Sequence, residues 1–214
     1  MPVPERPTLS ELFAANARDG GATGFLLAQL GQAELGRGAP LLWVQERMAI
    51  LEGGKIYPPG LGPEISAQLI HVEANDARAA LWAMEEGLRC SALGAVIGEI
   101  WGDPRALDFT ATRRLAVAAE RSGVPAWLVR LGGQANLSGA RMRWRVASAP
   151  SLASEFDARA PGEAVWDAEL FRARGAVPGR WPRCWSAIRD PTDLQHLVAV
   201  SADRAVAEGE RKRA

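Results

Sequence analysis

Apolar positions along the chain fall into short continuous runs separated by segments of helical period. PLLWV (40–44), QLIHVEA (68–74), ALGAVIGEI (92–100) and PAWLVRL (125–131) have strand length and little polar alternation, as expected of strands buried on both faces of a parallel sheet. Helical spacing intervenes between them. FLLAQLGQAEL places Phe25, Leu26, Leu30 and Ala33 on one face and ends near Gly36 and Gly38. DARAALWAMEEGLRC places Ala77, Leu81, Met84 and Leu88 on one face, with Asn75 as the expected N-cap. DFTATRRLAVAAERSG has Asp108 as N-cap and Gly123 as its stop. Near the start, TLSE (8–11) has capping-box spacing and predicts a short helix through Phe13 towards Arg18. QERMAILEGGKIYPPGLGPE, punctuated by glycine and proline, predicts a connection with at most a short helix.

Beyond Gly132 the pattern changes. RMRWRV alternates Arg with Met, Trp and Val, as in a half-buried strand, and EAVWDAELFRARG, AVPG and RWPRCWSAIRD predict a hairpin carrying Trp166, Trp181 and Trp185. The segment from Pro191 holds one apolar stripe, Leu194, Leu197 and Val198, before a charged tail. The reading is therefore α/β: a mostly parallel sheet flanked by helices and extended by C-terminal antiparallel strands, over residues 1–190, with 191–214 as an amphipathic segment and tail.

With 214 residues, 48% of them hydrophobic, the chain can bury a sizeable core. Its 25 basic and 25 acidic residues cancel, which excludes a strong overall pull towards nucleic acid or membrane and leaves only local patches. Cys90 and Cys184 are far apart and outside any CxxC pattern, so both are expected to be small buried hydrophobes in a reducing compartment. No apolar run approaches the length of a membrane span, the N-terminus has no apolar signal core, and a cytoplasmic location is expected. Two histidines, His71 and His196, without clustered cysteines give no basis for a metal site.

RDGGATGFLLAQL (18–30) runs a glycine-rich turn into a helix, the layout that cradles phosphates in nucleotide-binding ATPases. Such loops also carry a lysine and a hydroxyl. The chain has only Lys55 and Lys212, and neither completes GxxxxGK[ST]. No nucleotide cofactor is expected, because the cation that offsets phosphate desolvation is missing.

In element order the chain resembles the RecA core over roughly residues 18–190. More specifically, DARAALWAMEEGLRCSALGAVIGE and LDFTATRRLAVAAERSGVPAWLVR are similar to the ImuA family, RecA-like accessory proteins of damage-inducible mutagenesis, whose short members also lack the loop lysine. The resemblance places Glu46 where RecA-type ATPases carry the water-activating glutamate, and Glu99 at the acidic end of the Walker B strand. Gly132, Gly133, Gln134 and Asn136 to Gly139 occupy the connection where RecA carries a DNA-binding loop. It implies a non-catalytic member of a translesion mutasome. Its implied partners are an ImuB-type inactive polymerase with an error-prone polymerase, RecA and, weakly, DNA; a homo-oligomer is a candidate state. A divergent DNA-dependent ATPase using Glu46 and Glu99, and a SulA-like inhibitor of cell division, remain open alternatives.

Arg113, Arg114 and Arg121 read as a solvated helix face or a subunit contact. Arg141, Arg143 and Arg145 alternate on one strand, roughly 7 Å apart, and form a candidate basic ladder along a DNA backbone or simply an exposed edge. Leu194, Leu197 and Val198 are the candidate partner-binding stripe. No catalytic residue is assigned.

Overall fold

The computed structural model describes residues 8–32, 38–61, 63–154, 156–157, 159–174 and 178–184. Leu194, Leu197 and Val198 lie outside them, as do Trp185, His196 and the expected end of the first long helix at Gly36.

Eight strands form one sheet. They are β1 (Leu9–Ala14), β2 (Leu41–Glu46), β3 (Leu69–Ala74), β4 (Ala95–Trp101), β5 (Ala126–Leu131), β6 (Met142–Ala149), β7 (Val165–Ala173) and β8 (Gly179–Cys184), in the order β3-β2-β4-β5-β1-β6-β7-β8. The six strands from β3 to β6 pair in parallel, and β7 and β8 add antiparallel. The α/β class and the antiparallel extension expected from the sequence are both present.

One face of the sheet packs on α1 (Gly21–Gln32), whose Phe25 and Leu26 meet Trp43, Trp144 and Trp166. The other face packs on α4 (Ala77–Gly87) and α5 (Phe109–Ser122), through Ala80, Met84, Leu115 and Ala119 against Val44, Val96, Ile100 and Leu128. The connection after β2 holds α2 (Arg47–Gly53), a 3-10 turn (Pro58–Leu61) and the single turn α3 (Pro63–Ser66), more helix than the sequence predicts.

Helix α5 begins and ends as expected. Asp108 accepts the Ala111 N–H at 2.7 Å, and Gly123 closes the helix at φ 77, a left-handed conformation that favours glycine. For α4 the cap is Asp76, which accepts the Ala79 N–H at 2.8 Å, not Asn75. A larger correction concerns TLSE. Leu9–Ala14 is a central strand with all six residues buried, because pairing with β5 and β6 satisfies the backbone of this segment on both sides. Burial between two neighbouring strands outweighs the local capping signal. Cys90 is also corrected: it is exposed beyond the end of α4, not buried.

Candidate functional site

The β1–α1 loop, residues 15–20, reaches the C-terminal edge of the parallel strands, where open α/β sheets bind ligands. A phosphate-cradling loop aims its backbone N–H groups outward. Here the Asn16 carboxamide oxygen accepts the N–H of Arg18 and of Asp19, each at 2.9 Å. Asp19 accepts the Gly21 N–H at 2.9 Å and, from β6, the Ser148 N–H at 3.0 Å and the Ser148 hydroxyl. Burial pushes the Asp19 carboxyl up, but these bonds from Ser148 and Gly21 outweigh it and hold it below the usual carboxylate range. A carboxylate charge thus sits at the N-terminus of α1, in the field that would otherwise attract a phosphate.

The glycines of the loop have a packing role. A side chain at Gly21 would come within 2.7 Å of the Ser148 backbone nitrogen, and one at Gly24 within 3.1 Å of the Trp166 indole. Glycine is needed so that α1 can lie close to β6 and β7.

Beside this loop lies a small cavity of about 290 Å³ lined by Asp19, Thr23, Gln45, Lys55 and Glu99. Glu99 accepts from the Trp43 indole N–H at 3.0 Å and the Gln45 amide at 2.6 Å, and Gln45 also accepts the Ile56 N–H at 2.9 Å. Burial raises the Glu99 carboxyl above its ordinary value against these two bonds. Glu46 faces the other side of the sheet and accepts the Trp101 N–H at 2.9 Å; burial raises it as well. The two glutamates therefore do not converge on one reacting atom, and each is held by the fold.

For Glu99 the sign of the pH dependence follows directly. A carboxyl raised in the folded state contributes stability fully present below its unfolded value, about 4.3, and lost as pH rises through the folded value. Glu99→Gln removes that contribution. The melting temperature of the variant minus that of the parent is expected to become more positive from pH 4 to pH 8; thermal melts across that range check it, and a constant difference would refute it.

The three arginines of the ladder have separate environments. β6 lies inside the sheet between β1 and β7, not at an edge. Arg143 is buried at 3% exposure, and its Nε donates to Glu11 Oε2 at 2.6 Å while Nη2 donates to the Asn136 carbonyl at 2.8 Å. Arg141 pairs with Glu120 at 2.7 Å and Arg145 with Glu169 at 3.0 Å; both keep exposed guanidinium surface. Arg143 also stands between the rings of Phe13 and Phe171, 5.1 and 5.2 Å from their centroids, with Arg145 over Phe171 and Arg130 over Phe13. Arg130 meets Asp103 and, at 3.8 Å, Glu11. Arg130, Arg143 and Arg145 are matched by Glu11, Asp103 and Glu169, so the cluster is neutral.

The connection after β5 is tied to the same cluster. Asp103 accepts the Gln134 N–H at 3.1 Å, and the Thr112 hydroxyl accepts the Gly139 N–H at 3.0 Å. Sequence reading missed Asp19, Glu11 and Asp103. For Asp19 a signal was present, an acid directly before the glycines and the helix; Glu11 and Asp103 offer none, because their partners are distant in sequence.

Known proteins add a decisive comparison. The chain is 33% identical over 188 residues to Protein ImuA of Caulobacter vibrioides, in two strains, covering 83% of this chain and 73% of the relative. The chain belongs to the ImuA family. No family model matches it. In this ImuA-family chain the stretches that carry the resemblance fold as α4, β4, α5 and β5, so they build two adjacent interior strands of the sheet and the two helices covering one of its faces.

Proposed function

We propose that this chain is a non-catalytic accessory protein of damage-inducible translesion synthesis, binding a polymerase-like partner of the ImuB type within a mutasome that includes an error-prone polymerase. Family membership supports the pathway. The observation that carries the non-catalytic half is how the loop is closed on itself: the Asn16 carboxamide takes the Arg18 and Asp19 N–H groups, and the Asp19 carboxylate takes the Gly21 N–H and puts a negative charge where a nucleotide would bring its own. Without a held γ-phosphate, Glu46 and Glu99 have no water to activate. Calorimetry with Mg-ATP is expected to give no saturable binding in the micromolar range, and a clear isotherm abolished by Glu99→Gln would overturn this.

The cellular test deletes the gene from its host and restores it in trans. Damage-induced mutation frequency is expected to fall on deletion and to recover equally with the parent chain and with Glu99→Gln. Recovery with the parent only would favour the ATPase reading. Unchanged mutation frequency, with filamentous cells on overproduction, would favour a division inhibitor.

RecA and DNA are further proposed contacts. On the face of the ladder a DNA contact falls to Arg141 and Arg145, since Arg143 is enclosed. Its salt dependence is expected to be shallow, with a log–log slope of about −0.7 to −1.4 on a single strand, as for one or two neutralised phosphates. Fluorescence anisotropy with a single-stranded oligonucleotide measures the slope, and Arg141→Ala with Arg145→Ala should bring it to zero; a steeper slope, or one the double variant leaves intact, would place the contact elsewhere.

A further inference from the structure

Helices α4 and α5 lie side by side on the sheet, and between their outer faces runs a cleft in two stretches of about 460 and 530 Å³ that share Glu85, Thr110 and Arg114. Leu81 and Leu115 form the floor of the first stretch, and Val117 and Ala118 line the second. On the wall stands Trp82, 63% exposed. Tryptophan is a highly buried residue on average, and an exposed indole beside an apolar floor is a feature of binding surfaces.

The rim is basic. Arg114 pairs with Glu85, and Arg89 with Glu85 and Glu86. Asp108 is engaged as the cap of α5. Arg78, Arg105, Arg113 and Arg121 have no carboxylate partner among the described residues. On a chain of zero formal charge this is a local positive excess around an apolar floor.

We propose that the α4–α5 cleft is a docking site for an acidic amphipathic helix of a partner protein. An apolar residue of that helix seats on Trp82, and carboxylates on successive turns meet Arg78 and Arg105 at one end and Arg113 and Arg121 at the other. Helix-in-groove docking suits two parallel walls with an apolar floor. A nucleic acid fits less well, because the floor of Leu81, Leu115, Val117 and Ala118 suits the aliphatic side chains of a helix and gives a sugar-phosphate backbone nothing to bond. The chain's own C-terminal GERKRA has the wrong sign, and a second copy in an isologous contact would set arginine against arginine. The proposal does not depend on the mutasome reading.

The test pans the full chain against a displayed library of helical peptides and then titrates it with an enriched peptide, its lysine-for-acid counterpart and a twenty-nucleotide dT strand. Enriched sequences are expected to carry a stripe of Asp and Glu beside Leu or Phe, and to bind tenfold or more tightly than the lysine counterpart. Trp82→Ala, and separately Arg78→Glu with Arg113→Glu, are expected to weaken binding about tenfold or more with the melting temperature unchanged. Basic or uncharged enriched sequences, or affinity unchanged in both variants, would overturn the proposal. So would dT binding that the arginine substitutions abolish while peptide binding persists.

Discussion

Glu11→Ala is expected to destabilise the protein by about 3–5 kcal/mol, the cost of leaving a buried charge without its partner. Glu11 is fully buried in the central strand β1, 2.6 Å from Arg143 Nε and 3.8 Å from Arg130 Nη1. Without it Arg143 keeps, among the described residues, the Asn136 carbonyl and the two phenylalanine rings, which cannot replace a carboxylate. For a chain of this size the loss corresponds to roughly 6–20 °C in melting temperature. Two controls separate the charge from the packing. Arg145→Ala removes an exposed pair with Glu169 and should cost at most about 1 kcal/mol. Glu11→Leu combined with Arg143→Met removes both charges and should recover most of the loss, since an apolar pair of similar volume is often as stable as a buried ion pair. A denaturation midpoint for Glu11→Ala within the range of Arg145→Ala would show that the cluster tolerates an unpaired guanidinium.

Removal of residues 191–214 is expected to abolish capture of an ImuB-type partner and damage-induced mutagenesis while leaving the melting temperature within about 2 °C, less than one kcal/mol for a chain of this length. The sequence supplies the reason. Leu194, Leu197 and Val198 form a stripe too short to hold an isolated helix, and AEGERKRA after it is too polar to build a core. Such a segment gains order from whatever it docks on. Co-purification of the truncated chain with the partner, alongside a thermal melt, reads both outcomes at once. A drop of several degrees would mean that the segment docks on its own sheet, and undiminished capture would move the recognition surface elsewhere, to the α4–α5 cleft first.

What the sequence determined by itself is the set of elements whose signals are local. The apolar runs at Leu41–Glu46, Ala95–Trp101 and Ala126–Leu131 became interior strands, because a strand buried on both faces is apolar along most of its length, its few polar residues falling near its C-terminal end. Asp108 and Gly123 delimit α5, since a cap and a left-handed stop act within one turn of the helix they bound. The missing loop lysine was equally plain, and Asp19 before the glycines was there to be read. Trp82 could also be placed off the apolar face of α4 by its spacing from Leu81 and Met84, although what surrounds it could not. Only the tertiary structure decided the fate of TLSELFA, whose Thr8 and Glu11 read as a capping box until Arg143, 132 positions from Glu11, supplies the charge that lets Glu11 be buried in a strand. It likewise turned an alternating arginine strand into an enclosed ion pair flanked by two exposed ones, and gathered unpaired arginines from separate segments around one apolar cleft. Local preference acts over a turn of chain and can be seen in a sequence, whereas the burial of a charge depends on which distant residue the sheet order brings beside it.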